Sequence, residues 1–257
     1  MDPATIIGIV VAFGALLAML TLEGSNVSAI LLPAPMVLVF GATIAVGIAS
    51  GTLKDMFLAV KALPRAFTGK IAKPHETIDQ VVALAEKARR EGLLSLEQEA
   101  EAVDDPFLKN ALQNIADGTD GEELRVLLED EIATRTGSDR IAGKFFSTLG
   151  GFAPTVGIIG TVVSLTHVLE NLSTPDKLGP LIASAFVATL WGLLSANFLW
   201  LPIGSRLRRL ADLENQRMTL IMEGVLAVQA GSQPRLLGER LRAMVPDNAL
   251  PKLPKAA

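Results

Sequence analysis

Two charge-free runs decide the fold of this chain: 145-FFSTLGGFAPTVGIIGTVVSLTHVL-169 and 178-LGPLIASAFVATLWGLLSANFLWLPIGS-205. A helix rises about 1.5 Å per residue and the hydrocarbon core of a bilayer is about 30 Å thick, so each run can cross a membrane. Two further runs, Pro3 to Leu22 and Gly24 to Leu53, form a second closely spaced pair. The sequence therefore predicts an all-α membrane protein with four transmembrane helices and a helical cytoplasmic domain.

All charged residues lie outside these four runs. The 257 residues include 23 Lys and Arg and 27 Asp and Glu, which gives a formal net charge of −4. Nucleic-acid binders usually concentrate basic charge to neutralise phosphates, so nucleic acid is not expected as a partner. The absence of cysteine excludes thiolate metal sites and cysteine nucleophiles. No nucleophile, metal cluster or phosphate-binding loop is placed where chemistry could occur, so we expect neither an enzyme nor a cofactor.

Basic residues mark one end of the second, third and fourth runs, and cytoplasmic flanks of membrane helices collect Lys and Arg. They lie after the second run, before the third and after the fourth: Lys54, Lys61, Arg65, Lys70 and Lys73; Arg135, Arg140 and Lys144; Arg206, Arg208 and Arg209. Both termini and the middle segment are therefore predicted to be cytoplasmic. We predict a transmembrane hairpin over 1–53, a helical cytoplasmic domain over 54–144, transmembrane helices 3 and 4 over 145–205, and a cytoplasmic helix with a flexible tail over 206–257.

Local signals predict helix ends within the cytoplasmic domain. Thr77 with Gln80 fits a capping box at a helix start, and Gly92 fits a helix end. A further helix is predicted over Pro106 to Ala116, and another starts at Asp120. The segment after the fourth run is predicted to continue as a helix to about Ala230.

The interiors of the four spans contain no Asp, Glu, Lys or Arg. A charge at the bilayer centre costs about 2.5 to 3.5 kcal/mol on insertion scales, so a transporter keeps one only where it is used. If this chain handles ions, an ionisable relay group must come from another subunit. This chain would then supply hydroxyls, backbone carbonyls and shape.

Two hydroxyls and two prolines stand out in the third and fourth spans. Thr161 and Thr189 lie within stretches of small residues, where a neighbouring helix can approach closely. Hydroxyls in helices also bond to their own backbone carbonyls, so packing alone is an alternative explanation. Pro154 and Pro202 lie at the inner ends of these spans, where a missing backbone donor predicts a kink and a hinge.

Four motifs together resemble the MotA/PomA family, the A subunits of the bacterial flagellar motor stator. GFAPTVGIIGT at 151–161 resembles the third-helix signature of that family, and ASAFVATLWGL at 183–193 resembles its fourth. RREGLLSLE at 89–97 resembles its cytoplasmic charged motif, and Glu223-Gly-Val225 with Pro234-Arg235 resembles a segment after the fourth helix. The two helix signatures alone would also admit the related ExbB/TolQ energisers.

The resemblance implies a stator subunit of the bacterial inner membrane that converts an ion-motive force into torque. It implies a homopentameric ring around a dimer of a MotB-type partner, whose membrane Asp carries the ion. It also implies that Pro154 and Pro202 couple ion passage to movement, and that Thr161 and Thr189 line the ion path. Arg89 and Glu97 would face the rotor protein FliG, with Arg90 as an auxiliary contact.

The transported ion is not decided by the sequence. In sodium-driven members of the resembled family, threonines matching Thr161 and Thr189 accompany a third threonine at the position of Ala188. Hydroxyls and carbonyls can replace part of a sodium hydration shell. Because Ala188 lacks a hydroxyl, we predict a proton, with sodium held by Thr161 and Thr189 as the alternative.

Two other functions stay open at this point. One is an ExbB/TolQ-like ion-driven energiser of an envelope machine, and the other is a membrane scaffold without ion conduction. The two tight pairs of spans and the Arg89 to Glu97 motif favour the stator.

Overall fold

The computed structural model describes residues 4–70 and 73–251, and every regular element in these ranges is helical. The ten α-helices there are α1 (Ala4–Leu22), α2 (Pro33–Ala49), α3 (Leu53–Thr68), α4 (Pro74–Glu91), α5 (Leu96–Ala102), α6 (Pro106–Ala116), α7 (Gly121–Glu170), α8 (Pro175–Leu194), α9 (Leu201–Gln229) and α10 (Pro234–Ala243). A π-helical segment, Ser195–Trp200, joins α8 to α9. The predicted all-α fold is confirmed.

The chain forms two compact units. The first contains the described residues up to Lys70 together with Ser138–Leu210, and the second contains the described parts of 71–137 and 211–257. Helices α7 and α9 each contribute residues to both units. The first unit therefore holds α3 and the adjoining parts of α7 and α9 as well as the apolar helices.

Three described helical stretches in the chain are long and apolar enough to cross a membrane: α1, α7, and the continuous stretch from α8 through α9. The second predicted run behaves differently, because a 3₁₀ turn at Val27–Ile30 and Pro33 shorten its helix. Helix α2 has 17 residues and so measures about 26 Å, against about 30 Å for the hydrocarbon core. That the second run also crosses the membrane, which would give four spans, stays a prediction. Pro3, where the first run begins, lies outside the described residues.

Aromatic and small side chains pack the first unit. Val39 of α2 is fully buried beside Trp191, whose indole Nε1 donates a 2.6 Å hydrogen bond to the carbonyl of Ile30. Phe13 of α1 meets Phe198 edge to face, with ring centroids 5.5 Å apart. These contacts join α1 and α2 to α8 and the π-helical segment. A second cluster packs α3 against α7 and α9 through Ala59, Ala66, Phe145, Phe146, Leu149, Ile203 and Leu207.

The second unit has a conventional water-excluding core. Its fully buried side chains come from α4 to α7, α9 and α10, and include Phe107, Leu108, Leu112, Leu124, Leu128, Met218, Ile221 and Leu241. Apolar residues at helical spacing therefore face one another here, as amphipathic helices require.

The predicted helix ends are mostly confirmed. Helix α6 has the predicted bounds, α4 ends before Gly92, and Asp120 accepts a hydrogen bond from the backbone N–H of Glu122 at the start of α7. The prediction at Thr77 is wrong: α4 begins at Pro74, and Thr77 lies buried inside it. Residues 252–257 of the predicted flexible tail lie outside the described residues.

Candidate functional site

Helices α7 and α8 approach each other closely where two glycines meet. A Cβ atom on Gly157 would lie 2.9 Å from the carbonyl oxygen of Ala188 and 3.1 Å from Cα of Gly192. A Cβ atom on Gly192 would lie 2.8 Å from the carbonyl oxygen of Ala153. Only glycine at both positions permits this contact, which is how small residues bring membrane helices together. Ala188 and Gly192 therefore lie in the contact between α7 and α8.

One helical turn after Gly157, the hydroxyl of Thr161 lies among oxygen atoms of both helices. Thr161 Oγ1 is 3.1 Å from the carbonyl oxygen of Gly157, 3.0 Å from that of Ala185, and in hydrogen-bond contact with Thr189 Oγ1. A hydroxyl carries one proton, so when Thr161 donates to a carbonyl, Thr189 donates to Thr161. The structure thus brings both predicted threonines together and links α7 to α8 through them.

This cluster gathers four oxygen atoms and no ionisable group. Hydroxyl and carbonyl oxygens can coordinate a small cation or receive a hydrogen bond from a water molecule. They do not take up a proton at neutral pH, so the cluster itself contains no proton-carrying group. Ala188, which is fully buried, adds only a methyl group beside Gly160.

Pro154 lies half-buried inside α7 without ending it. Proline has no backbone N–H, so the carbonyl of Gly150, four residues earlier, receives no helical hydrogen bond from it. Gly150 packs directly against Leu201: a Cβ atom on Gly150 would lie 2.6 Å from the Leu201 side chain and 3.3 Å from its backbone nitrogen. The turn weakened by Pro154 therefore contacts the start of α9.

The π-helical segment Ser195–Trp200 lies immediately before Pro202. At its end the backbone N–H of Leu201 donates to the carbonyl of Ala196, five residues back, rather than four. Pro202 then contributes no donor to either register. The predicted distortion at Pro202 is thus present as a widened turn, and π-turns of this kind are frequent at functional sites.

These contacts link the turn before Pro154 to the residue next to Pro202. Leu201, next to Pro202, lies against Gly150 of the turn that Pro154 weakens. An open cleft of about 480 Å³ borders the Pro202 side, lined by α1 together with Asn197, Phe198, Pro202 and Arg206. Sequence spacing did not reveal this pairing, because it depends on the glycine contacts between α7 and α9.

The predicted rotor-facing charges lie at a sharp turn in the second unit. Arg89 and Arg90 lie in the last turn of α4 and Glu97 lies in the first turn of α5. Gly92, with φ +86°, and a 3₁₀ turn connect the two helices. All three charged side chains are exposed. Within residues 4–70 and 73–251, none of the three forms an ion pair. Exposed, unpaired charges of both signs are suited to a charged partner.

Two neighbouring charges in the same turn are paired with each other. Lys87 Nζ lies 2.6 Å from Glu99 Oε1 and joins α4 to α5. The hydrogen bond to Glu99 raises the pKa of the Lys87 ammonium, so it stays protonated. The sequence gives no signal for this pair, because a separation of 12 residues across a turn produces no recognisable spacing.

Ion pairs between arginines and carboxylates connect α9 to other helices of the second unit. Glu223 accepts hydrogen bonds from Arg125 at 2.8 Å and from Arg240 at 2.7 Å. Arg217 pairs with Asp105 and with Glu214, the latter at 2.8 Å. Burial would lower the pKa of Arg217, but these two partners outweigh it and raise the pKa overall.

Comparison with known proteins gives matches along nearly the whole chain. Residues 6–92 match the model "Motility protein A N-terminal", and residues 99–220 match the "MotA/TolQ/ExbB proton channel family". Motility protein A of Bacillus subtilis is 33% identical over 251 residues, covering 96% of this chain and 92% of the relative. The chemotaxis protein PomA of Vibrio alginolyticus is 32% identical over 247 residues, covering 94% of each chain.

Two solved structures have the same fold. A chain of the C. jejuni MotAB structure superimposes with a TM-score of 0.91 at 27% identity, covering 98% of this chain and all of that one. A chain of the flagellar MotAB stator complex from Bacillus subtilis superimposes with a TM-score of 0.86 at 33% identity, covering 95% and 96%.

Proposed function

This chain belongs to the motility protein A family and is a flagellar motor stator subunit of the inner membrane. We propose how two of its sites, the threonine cluster between α7 and α8 and the charged turn between α4 and α5, convert ion flow into torque. The match of residues 6–92 to motility protein A removes the ExbB/TolQ-like alternative, which rested on the last two spans alone. The chain acts with a MotB-type partner, as the chains in the two MotAB structures do.

The ion path is proposed to run beside Thr161 and Thr189. The observation that carries this is their shared hydrogen-bond contact within the charge-free runs of α7 and α8, joined by the carbonyl oxygen of Ala185. An Asp on the partner would bring the missing ionisable group to these oxygens. One elementary charge crossing the membrane releases about 2.3 kcal/mol per 100 mV of membrane potential. This free energy is small, so it suits a motor that advances in many small rotational steps.

We assign the proton as the transported ion. The two threonine hydroxyls bond to each other and to backbone carbonyls, and Ala188 contributes no oxygen to the cluster. A proton needs no cage of ligands, since the partner carboxylate carries it. Sodium is the alternative, in which Thr161 and Thr189 would replace part of its hydration shell.

Pro154 and Pro202 are proposed to couple ion passage to movement. The turn that Pro154 weakens lies against Leu201, so a shift at one proline is transmitted through packed atoms to the other. The π-helical segment before Pro202 supports this. Its backbone hydrogen bonds span five residues, and a shift to the four-residue spacing of an α-helix would rotate α9 relative to α8.

Torque is proposed to reach the rotor protein FliG through Arg89, Arg90 and Glu97. Their exposure and lack of ion pairs within the described chain support this role. We further propose a pentameric ring of this subunit around a MotB-type dimer, with both termini in the cytoplasm. The Lys and Arg clusters flanking the apolar runs support that orientation.

The test uses cells that lack their own stators and receive this chain with its MotB-type partner. Rotation of tethered cells is measured while sodium is varied at fixed pH, for the unaltered chain and for Thr161→Val. Sodium-independent rotation that Thr161→Val weakens is the expected result. Rotation that rises with sodium would replace the proton by sodium, and no rotation despite verified assembly would contradict the stator mechanism.

The rotor contact is tested separately. Arg89→Glu should reduce torque while the protein remains in the membrane at its usual level, because position 89 is exposed. Lys73→Gln, an exposed basic residue at the start of α4, is the matched control and should rotate normally. Unchanged torque in Arg89→Glu would remove Arg89 from the rotor contact.

A further inference from the structure

The turn between α4 and α5 carries charges that differ in their pairing. Lys87 and Glu99 lie in contact at 2.6 Å, with side chains 24% and 35% exposed. Arg89, Arg90 and Glu97 are exposed, and within the described residues they have no ionic partner. Six charges lie between Lys87 and Glu99. They comprise one closed pair, the three exposed groups named above, and Glu91, which is also exposed and interacts electrostatically with Lys87.

Buried apolar residues also hold α5 in place, independently of the closed pair. Leu96 and Ala100, four residues apart on α5, are both fully buried in the core of the second unit. Exposed and partly exposed ion pairs contribute little to stability. A function for the Lys87–Glu99 pair therefore has to be sought in its effect on the neighbouring charges.

Either member of the pair would compete for those neighbours if it lost its partner. Lys87 lies three residues before Arg90, so both face the same side of α4, and residues at this spacing interact. A free carboxylate at Glu99 would therefore attract the arginines at the end of α4. A free ammonium at Lys87 would attract the acidic side chains at the start of α5.

We propose that Lys87 and Glu99 are positioning residues of the rotor contact: by neutralising each other, they leave Arg89, Arg90 and Glu97 free to bind the rotor. This rests on the proposed rotor-facing role of those three residues. The stabilised charge on Lys87, whose pKa is raised by its hydrogen bond to Glu99, supports the pairing at all physiological pH values. The rotor-binding surface therefore consists of the charges in this turn that form no ion pair within the described residues.

The experiment compares Lys87→Gln, Glu99→Gln and the double variant Lys87→Gln/Glu99→Gln. Stall torque is measured with a bead on the flagellar stub, in stator-less cells that receive this chain and its MotB-type partner. Each single variant leaves one unbalanced charge and should lose torque. The double variant leaves none and should recover most of it, at equal amounts of membrane-inserted protein.

Recovery in the double variant separates this role from a structural one. A merely structural pair would give a double variant at least as impaired as the worse single variant, and that result would overturn the proposal. Full torque in both single variants would overturn it as well. Glu76→Gln, which removes the exposed Lys73–Glu76 pair at the far end of α4, should change nothing.

Arg89→Glu is measured in the same series. If Arg89→Glu loses torque and Lys87→Gln/Glu99→Gln does not recover the torque of its single variants, only the positioning role is overturned. Torque retained in Arg89→Glu would overturn the rotor contact itself, and with it the reason for keeping that arginine free.

Discussion

Gly157→Ala tests whether the close contact between α7 and α8 maintains the threonine cluster. The added Cβ atom would lie 3.1 Å from Cα of Gly192, whereas carbon atoms in contact prefer about 3.5 to 4.0 Å. The two helices would have to separate by roughly 0.4 to 0.9 Å to relieve the contact. The same separation would lengthen the 3.0 Å bond between Thr161 and the Ala185 carbonyl beyond hydrogen-bond range.

The cost of this substitution follows from two opposing effects. Overpacking of a well-packed contact costs about 1 to 3 kcal/mol. Alanine has a better helix propensity than glycine by about 1 kcal/mol, which offsets part of that cost. The net loss is roughly up to 2 kcal/mol, and about 2 to 4 °C of melting temperature corresponds to each kcal/mol in a protein of this size.

Gly151→Ala is the matched control in the same helix. Gly151 is exposed, and a Cβ atom there has no neighbour within 4 Å, so only the gain in helix propensity remains. The purified stator complex is heated in detergent, and stall torque is measured in stator-less cells. We expect Gly157→Ala to melt several degrees below Gly151→Ala and to lose torque. Equal melting temperatures and equal torque would show that the helices have slack, and would refute this account of the contact.

Three further changes test other parts of the chain. Pro202→Ala restores a backbone donor, so the π-helical segment should revert to α-helix. We expect rotation to stop while the MotB-type partner still co-purifies with the variant. Loss of the partner would show that Pro202 is needed for assembly and would contradict the coupling role. Arg217→Met leaves Asp105 and Glu214 without their partner and should cost about 3 kcal/mol, seen as a lower melting temperature of the complex; an unchanged melting temperature would contradict this. Gly92→Ala and Gly118→Ala both place a side chain at a positive φ, at about 1 to 3 kcal/mol each, and Gly92, with ψ 166°, lies in a region that essentially only glycine adopts. At equal amounts of membrane-inserted protein only Gly92→Ala should reduce torque, and equal torque in both would detach the α4–α5 turn from the rotor contact.

Local signals explain which parts of the fold the sequence predicted correctly. Helix α6 begins at a proline after Asp105, whose carboxylate accepts a hydrogen bond from the backbone N–H of Phe107, and such caps depend on neighbouring residues only. The error at Thr77 arises because the capping-box spacing also occurs by chance inside helices. Pro74 at the first position of α4 was the stronger signal.

The candidate ion path was predictable in its residues but not in its geometry. Small-residue stretches around Thr161 and Thr189 indicated that a helix approaches there, and the structure brings the two hydroxyls into contact. The contribution of the Ala185 carbonyl depends on how α8 is rotated against α7, and a single sequence carries no signal for that rotation. The π-helical segment was missed for a similar reason, since a proline predicts a distortion without predicting its register.

Both sites depend on distinctions that residue type does not reveal. Thr155 and Thr161 are equivalent in composition, yet Thr155 bonds only to the carbonyl of Phe152 in its own helix, whereas Thr161 also reaches α8. Lys87 and Arg89 are likewise both basic and two residues apart, yet one is paired and the other is free. In each case the hydrogen bonds and ion pairs of a side chain within the chain decide whether that side chain is available for function. Pairing within the chain, more than the presence of a charge or hydroxyl, therefore determines where an ion or a rotor can act.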